Sequence, residues 1–128
     1  MSVNQTVSTQ LFYITPTITP TADLSTKSGY FGKLSSGLPV VCDSQGERPD
    51  FVIVTATSGG AASFAATPGQ IVQLVAGGSV TIGAELTTTA TGTAEAASSN
   101  DAVFAKALAA ASSGEAFRAL IVSAYIKA

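Results

Sequence analysis

GQIVQLVAGGSVTIGAELTTTATGTAEAAS, residues 69–98, is the stretch that decides the fold class. Ile71, Val72, Leu74 and Val75 form an aliphatic run that opens after Pro68-Gly69 and stops at Ala76-Gly77-Gly78. A second run, SVTIGAEL (79–86), follows at once. Two glycines between two such runs are a two-residue hairpin signal, because glycine reaches positive φ without a steric penalty. The threonines of LTTTATGTAEAA (86–97) carry the β pattern on, with a turn at Gly92. Outward from here the same rhythm holds. FVIVTAT (51–57) ends at Ser58-Gly59-Gly60, and FRALIVSAYI (117–126) is β-prone on both faces. Short strands at this spacing predict an all-β domain, a small β-sandwich or barrel.

The segment DAVFAKALAAASSGEA (101–116) has two readings. Asp101 can cap a helix through Ala107–Ala111 that stops at Gly114. Against this, Val103, Ala105 and Ala107 alternate with Phe104, Lys106 and Leu108, and Ser112-Ser113-Gly114-Glu115 has the makings of a tight turn. A hairpin of 103–110 with 116–126 is favoured because the flanking elements are β, and the helix stays open as the alternative.

Residues 29–50 read as loop and short strand, punctuated by Gly29, Gly32 and Gly37. Leu38 to Cys42 is one apolar segment in which Cys42 is expected as a small buried hydrophobe. DSQGERPD (43–50) is a polar turn cluster, with Glu47, Arg48 and Asp50 expected in a solvated loop. Residues 1–28 differ from the rest. Thr-Pro pairs at Pro16 and Pro20 disfavour helix and push the backbone toward extended geometry. The expectation is an extended N-terminal arm over 1–28, followed by a single β-rich domain over 29–128. A frayed terminus is the plain rival. The tetrad Leu11, Phe12, Tyr13 and Ile14 favours an arm that binds something, since a disordered tail has little use for four large apolar side chains in a row.

Composition excludes whole classes of chemistry. The 128 residues include 22 Ala, 16 Thr and 15 Ser, and only 11% are charged, so hydroxyls, small side chains and backbone must cover much of the surface. With no histidine there is no Ser-His-Asp triad and no imidazole metal site. A lone cysteine forms neither a disulfide nor a structural zinc site within one chain. A net charge of −2 with six scattered Lys and Arg does not supply the phosphate neutralisation of nucleic-acid binding. No run of ~18 apolar residues is present to span a membrane. MSVNQTVSTQ is not a secretory signal, which with the single thiol fits synthesis in a reducing cytoplasm. ATSGGAAS and VAGGSV lack the spacing and the lysine of a phosphate loop and read as turns. The acidic residues are isolated along the chain outside 43–50. No enzyme, metal or cofactor is expected, and a binding or structural protein remains.

The second half also carries a family likeness. Val80, Gly83 and Leu86 follow the glycine turn; a short turn runs from Thr89 to Gly92; Ala105, Ala107, Leu108, Gly114 and Glu115 lead into a closing strand at Ala119–Val122. Over about residues 69–123 this pattern resembles the small capsid decoration (head cement) proteins of tailed bacteriophages. The resemblance implies a β-rich module on the exterior of the virion capsid, made in the host cytoplasm. Its partners would be the major capsid protein and itself, as a homotrimer, with no nucleic acid and no membrane. Leu11, Phe12, Tyr13 and Ile14 would then anchor the arm on the capsid or on an adjacent copy. Several modest contacts per oligomer multiply through effective concentration, so no single arm needs to bind tightly. Two other classes remain: a glycan- or receptor-binding module on a fibre or cell surface, and a tail or tube subunit.

Overall fold

A computed structural model describes residues 24–56 and 62–128 of the chain. The described residues form nine strands and no helix: β1 (Phe31–Ser35), β2 (Leu38–Val41), β3 (Phe51–Ala56), β4 (Ala62–Ala65), β5 (Ile71–Val75), β6 (Glu85–Thr88), β7 (Ala94–Ala96), β8 (Ala102–Ala107) and β9 (Ala116–Ile126). All strand pairs are antiparallel, in a four-stranded sheet of order β2-β1-β3-β4 and a five-stranded sheet of order β5-β9-β8-β6-β7. The arrangement is a small β-sandwich.

The core lies between the sheets. Phe31, Val52 and Ala65 of one sheet pack with Val72, Leu74, Leu86, Phe104, Phe117 and Ile121 of the other. The β5 pattern shows the cause: Val72 and Leu74 are buried while Ile71 and Gln73 are exposed, as period-two alternation requires. Phe31 and Phe104 meet edge to face at 6.0 Å across the sandwich, a geometry that contributes about 0.5–1.5 kcal/mol beyond area burial. A smaller cluster, Phe51, Ile53 and Phe64, is joined by Leu24. Residues 24–28 therefore lead directly into the body, with Lys27 N–H on the Leu24 carbonyl and the Lys27 ammonium over the Tyr30 ring at 4.9 Å.

Four turns use one device. Ser44-Gln45-Gly46-Glu47, Thr67-Pro68-Gly69-Gln70, Ser98-Ser99-Asn100-Asp101 and Ser112-Ser113-Gly114-Glu115 each return the fourth N–H to the first carbonyl, at 3.0–3.2 Å. In each, the fourth side chain accepts from the first N–H, at 2.6–3.1 Å. Each has positive φ at its third residue. The pair of bonds satisfies polar backbone that the reversal of direction takes away from the sheets.

Several expectations need correction. Gly77-Gly78 is not a hairpin turn: neither glycine has positive φ, and β5 pairs with β9 rather than with the segment that follows. Gly77 serves a close approach instead, since a Cβ there would lie 2.3 Å from Thr93 Oγ1. SVTIGAEL is mostly not strand; Val80 makes a single bridge to Ala111, and the ladder begins at Glu85. Over 101–116 the favoured hairpin reading holds: β8 pairs with β9, and the helix alternative does not form. Residues 29–50 hold a full hairpin, β1 with β2, closed by Ser36-Gly37. Both have positive φ, 52° and 79°, as a type I′ turn demands.

Gly92 closes the β6–β7 turn at φ 88°, and a Cβ on it would lie 2.3 Å from Val41 Cγ1. Gly37 has similar φ but nothing within 4 Å. Gly92→Ala is expected to lose about 2–5 kcal/mol in urea unfolding and Gly37→Ala only about 1–2, because the second incurs backbone strain alone. Equal losses would show that the sheet contact at Gly92 is not tight. Thr87 is fully buried on β6, and its hydroxyl has no partner among the described residues. Thr87→Val should therefore raise stability, by about 1 kcal/mol, in the same assay; a loss of stability would mean that the hydroxyl is satisfied.

Candidate interaction surface

β5 is the terminal strand of its sheet. Ile121 N–H donates to the Gln70 carbonyl and Ala76 N–H to the Glu115 carbonyl. Antiparallel alternation then turns residues 72 and 74 toward β9 and residues 71, 73 and 75 outward. The Val75 N–H is taken by the Gly29 carbonyl at 3.0 Å, and Gly29 N–H donates to the Ile53 carbonyl at 2.7 Å. The outward backbone groups of Ile71 and Gln73 have no hydrogen-bond partner among the described residues. A groove of about 380 Å³ opens along this edge, walled by Val54, Ser63 and Phe64 on one side and Val72 and Leu74 on the other. Ile71 and Val54, 62% and 42% exposed, lie at its rim. It combines an open strand edge with an apolar wall, which is what backbone pairing to an extended segment needs.

The carboxylates are occupied elsewhere. Lys33 on β1 bridges Asp43 at 2.5 Å and Glu47 at 3.0 Å. Glu47 also accepts from the N–H groups of Asp43 and Ser44, and Asp50 accepts from Leu34 N–H. The expectation of a merely solvated 47–50 loop is thus corrected: Glu47 and Asp50 tie the loop to itself and to β1. The missed signal was Ser44 three residues before Glu47. Gln45 donates to both Glu95 and Asp101, and Glu85 receives Tyr125 Oη and Lys127 Nζ. Every carboxylate among the described residues is hydrogen-bonded to a specific donor.

These bonds shift the titrations. The Lys33 hydrogen bond holds the Asp43 carboxyl below its ordinary range. At Glu47 burial pushes upward, but Lys33 and two backbone N–H donors bring the net shift down. Glu85 is lowered by Lys127 and then by Tyr125, whose own hydroxyl is raised by the same contact. Cys42 is 1% exposed, and burial pushes its thiol up to about 12, so the only cysteine is a poor nucleophile.

Among the described residues no group of three or more His, Cys, Asp or Glu is placed to hold a metal ion, and no helix is long and apolar enough to cross a membrane. The anchor residues expected from the sequence, Leu11, Phe12, Tyr13 and Ile14, lie outside the described residues. The β5 groove was not expected; its only sequence signal is the exposed alternate set Ile71 and Gln73 on a strand whose neighbour is distant in the chain.

Asp43, Glu47 and Glu85 have lowered pKa values in the folded state, so their stabilisation is present above the ordinary carboxylate range and is lost as pH falls through the lowered values. The melting temperature is expected to hold from pH 7 to about 5 and to drop below about 4. Lys33→Met returns Asp43 and Glu47 toward ordinary values, so that variant should lose less on acidification than the parent. Identical acid limbs in the two proteins would remove Lys33 from the account.

No protein-family model matches the chain, and neither does any curated protein. Among solved structures, it is similar to the crystal structure of the head fiber gp8.5 N base of bacteriophage phi29, with a TM-score of 0.62. The likeness covers 79% of this chain and 88% of that one at 22% sequence identity, and it establishes a shared fold.

Proposed function

We propose that the protein is a non-enzymatic structural protein of a bacteriophage virion, and more specifically a capsid decoration protein. On this reading it binds the outer surface of the mature capsid and stabilises contacts between major-capsid subunits. The observation that carries the reading is the sandwich shared with the N base of a phage head fiber. The turn and strand pattern over residues 69–123 supports it from the sequence side. So does the use of the carboxylates: each described one accepts from a backbone or side-chain donor that ties a turn, a loop or a strand.

The reading assigns Leu11, Phe12, Tyr13 and Ile14 as anchors of the N-terminal arm and the homotrimer as the bound form. Three arms per particle engage together, and effective concentration turns modest single contacts into firm attachment. Few charges per copy also keep electrostatic repulsion low among copies crowded on one shell.

Co-sedimentation with expanded heads of the cognate phage, against unexpanded proheads, tests this directly. Saturable binding to expanded heads is expected, and the copy number per capsid subunit selects the symmetry site. Binding to neither would overturn the proposal. Phe12→Ala with Ile14→Ala should weaken head binding at least about tenfold, since each buried anchor contributes roughly 1.5–3 kcal/mol before ordering costs.

A further inference from the structure

We infer that the groove along β5 takes the Leu11–Ile14 segment of a second copy of this chain as an added edge strand. The inference rests on the decoration reading and names the partner of the arm within it.

Three observations meet at this place. The outward backbone groups of Ile71 and Gln73 offer ladder bonds that no described residue uses. The wall beside them is apolar, with Phe64, Val72 and Leu74. The described residues also begin near here, because Leu24 shares a cluster with Phe64 and is itself 2% exposed.

The segment suits the groove. None of residues 11–14 is proline, so each has an N–H to give. In extended form Leu11 and Tyr13 share one face while Phe12 and Ile14 share the other, so an apolar pair meets the wall whichever way the strand lies. Spacing selects the neighbour over the same molecule. The spacer 15–23, TPTITPTAD, contains Pro16 and Pro20. At ~3.1 Å per residue, nine residues can reach up to about 28 Å. The β5 edge from Ile71 to Val75 is only about 14 Å long. A spacer of that reach lets the tetrad pass its own groove and enter that of an adjacent copy, and head-to-tail exchange closes a ring.

The test mixes two full-length proteins, one with Phe12→Cys and one with Ser63→Cys, under mild oxidation without capsids. Ser63 sits in the groove wall and the change is nearly isosteric. Cys42 stays silent because it is buried. The control replaces Ser63→Cys with Ser99→Cys in the exposed turn before β8, beside the far end of β9 where Asn100 N–H meets the Lys127 carbonyl. Mass spectrometry should find the mixed 12–63 disulfide several-fold in excess of the 12–99 one. Equal yields would overturn the inference. So would a Phe12→Cys/Ser63→Cys double variant that closes only within single chains, since the occupant would then be the molecule's own arm. Head co-sedimentation of the unsubstituted protein separates the two ideas. Normal head binding without the mixed disulfide sinks the arm exchange alone; the disulfide without head binding sinks the decoration reading.

Discussion

The sandwich turns on Phe31. Its ring meets Phe104 from the opposite sheet, its N–H donates to the Gly92 carbonyl in the β6–β7 turn, and its carbonyl accepts from Cys42 N–H. One residue thus joins three things: the packing between the layers, the seam along their sides and the end of β2. Gly92 must lack a side chain for that seam to close against Val41. The other side is joined more lightly, through Gly29 between Ile53 and Val75. That asymmetry places the open edge at β5 and leaves the β6–β7 side sealed.

A chain with so few charges meets the polar needs of its backbone sparingly. The four reciprocal turns use one acidic or amide side chain each, and they sit where the strands reverse or change sheet. Lys33 and Lys127 hold two of the remaining carboxylates, Asp43 and Glu85, and Lys33 also holds Glu47. Much of the remaining described surface is hydroxyl, alanine and backbone, with isolated large apolar side chains such as Leu34, Ile71, Ile82 and Ile126. Such a surface is short of long-range fields and rich in short-range contact, which fits attachment by shape and strand pairing better than by electrostatic steering.

The strands that were legible in the sequence are those with strong alternation or β-branched runs: 51–56, 71–75 and 116–126. The 102–107 strand was recovered over a helical rival because its partner strand is unambiguous, although alanine itself favours neither. Two features misled. Gly77-Gly78 resembles a hairpin, but neither glycine has positive φ, and only Gly77 answers steric crowding, from Thr93. The β1–β2 hairpin was missed because β1, FGKLS, holds a glycine and a lysine, and Ser36-Gly37 is a weaker signal than Asn-Gly. The groove was hidden for another reason. It depends on which strand ends a sheet, and that is set by the distant pairing of β5 with β9.

The Ile71–Gln73 edge, whose outward backbone has no hydrogen-bond partner among the described residues, also has a consequence for handling the protein. Unpaired ladder groups beside an exposed isoleucine form a template on which any extended chain can add, including a misfolded copy. Natural edges are commonly guarded by lysine or proline; within β5 the guard is a single glutamine. Charge repulsion at −2 per chain offers little colloidal protection. An occupant of that edge would shield it, and without one the first failure expected of concentrated stocks is slow, seeded growth of β-rich particles while the sandwich itself stays folded.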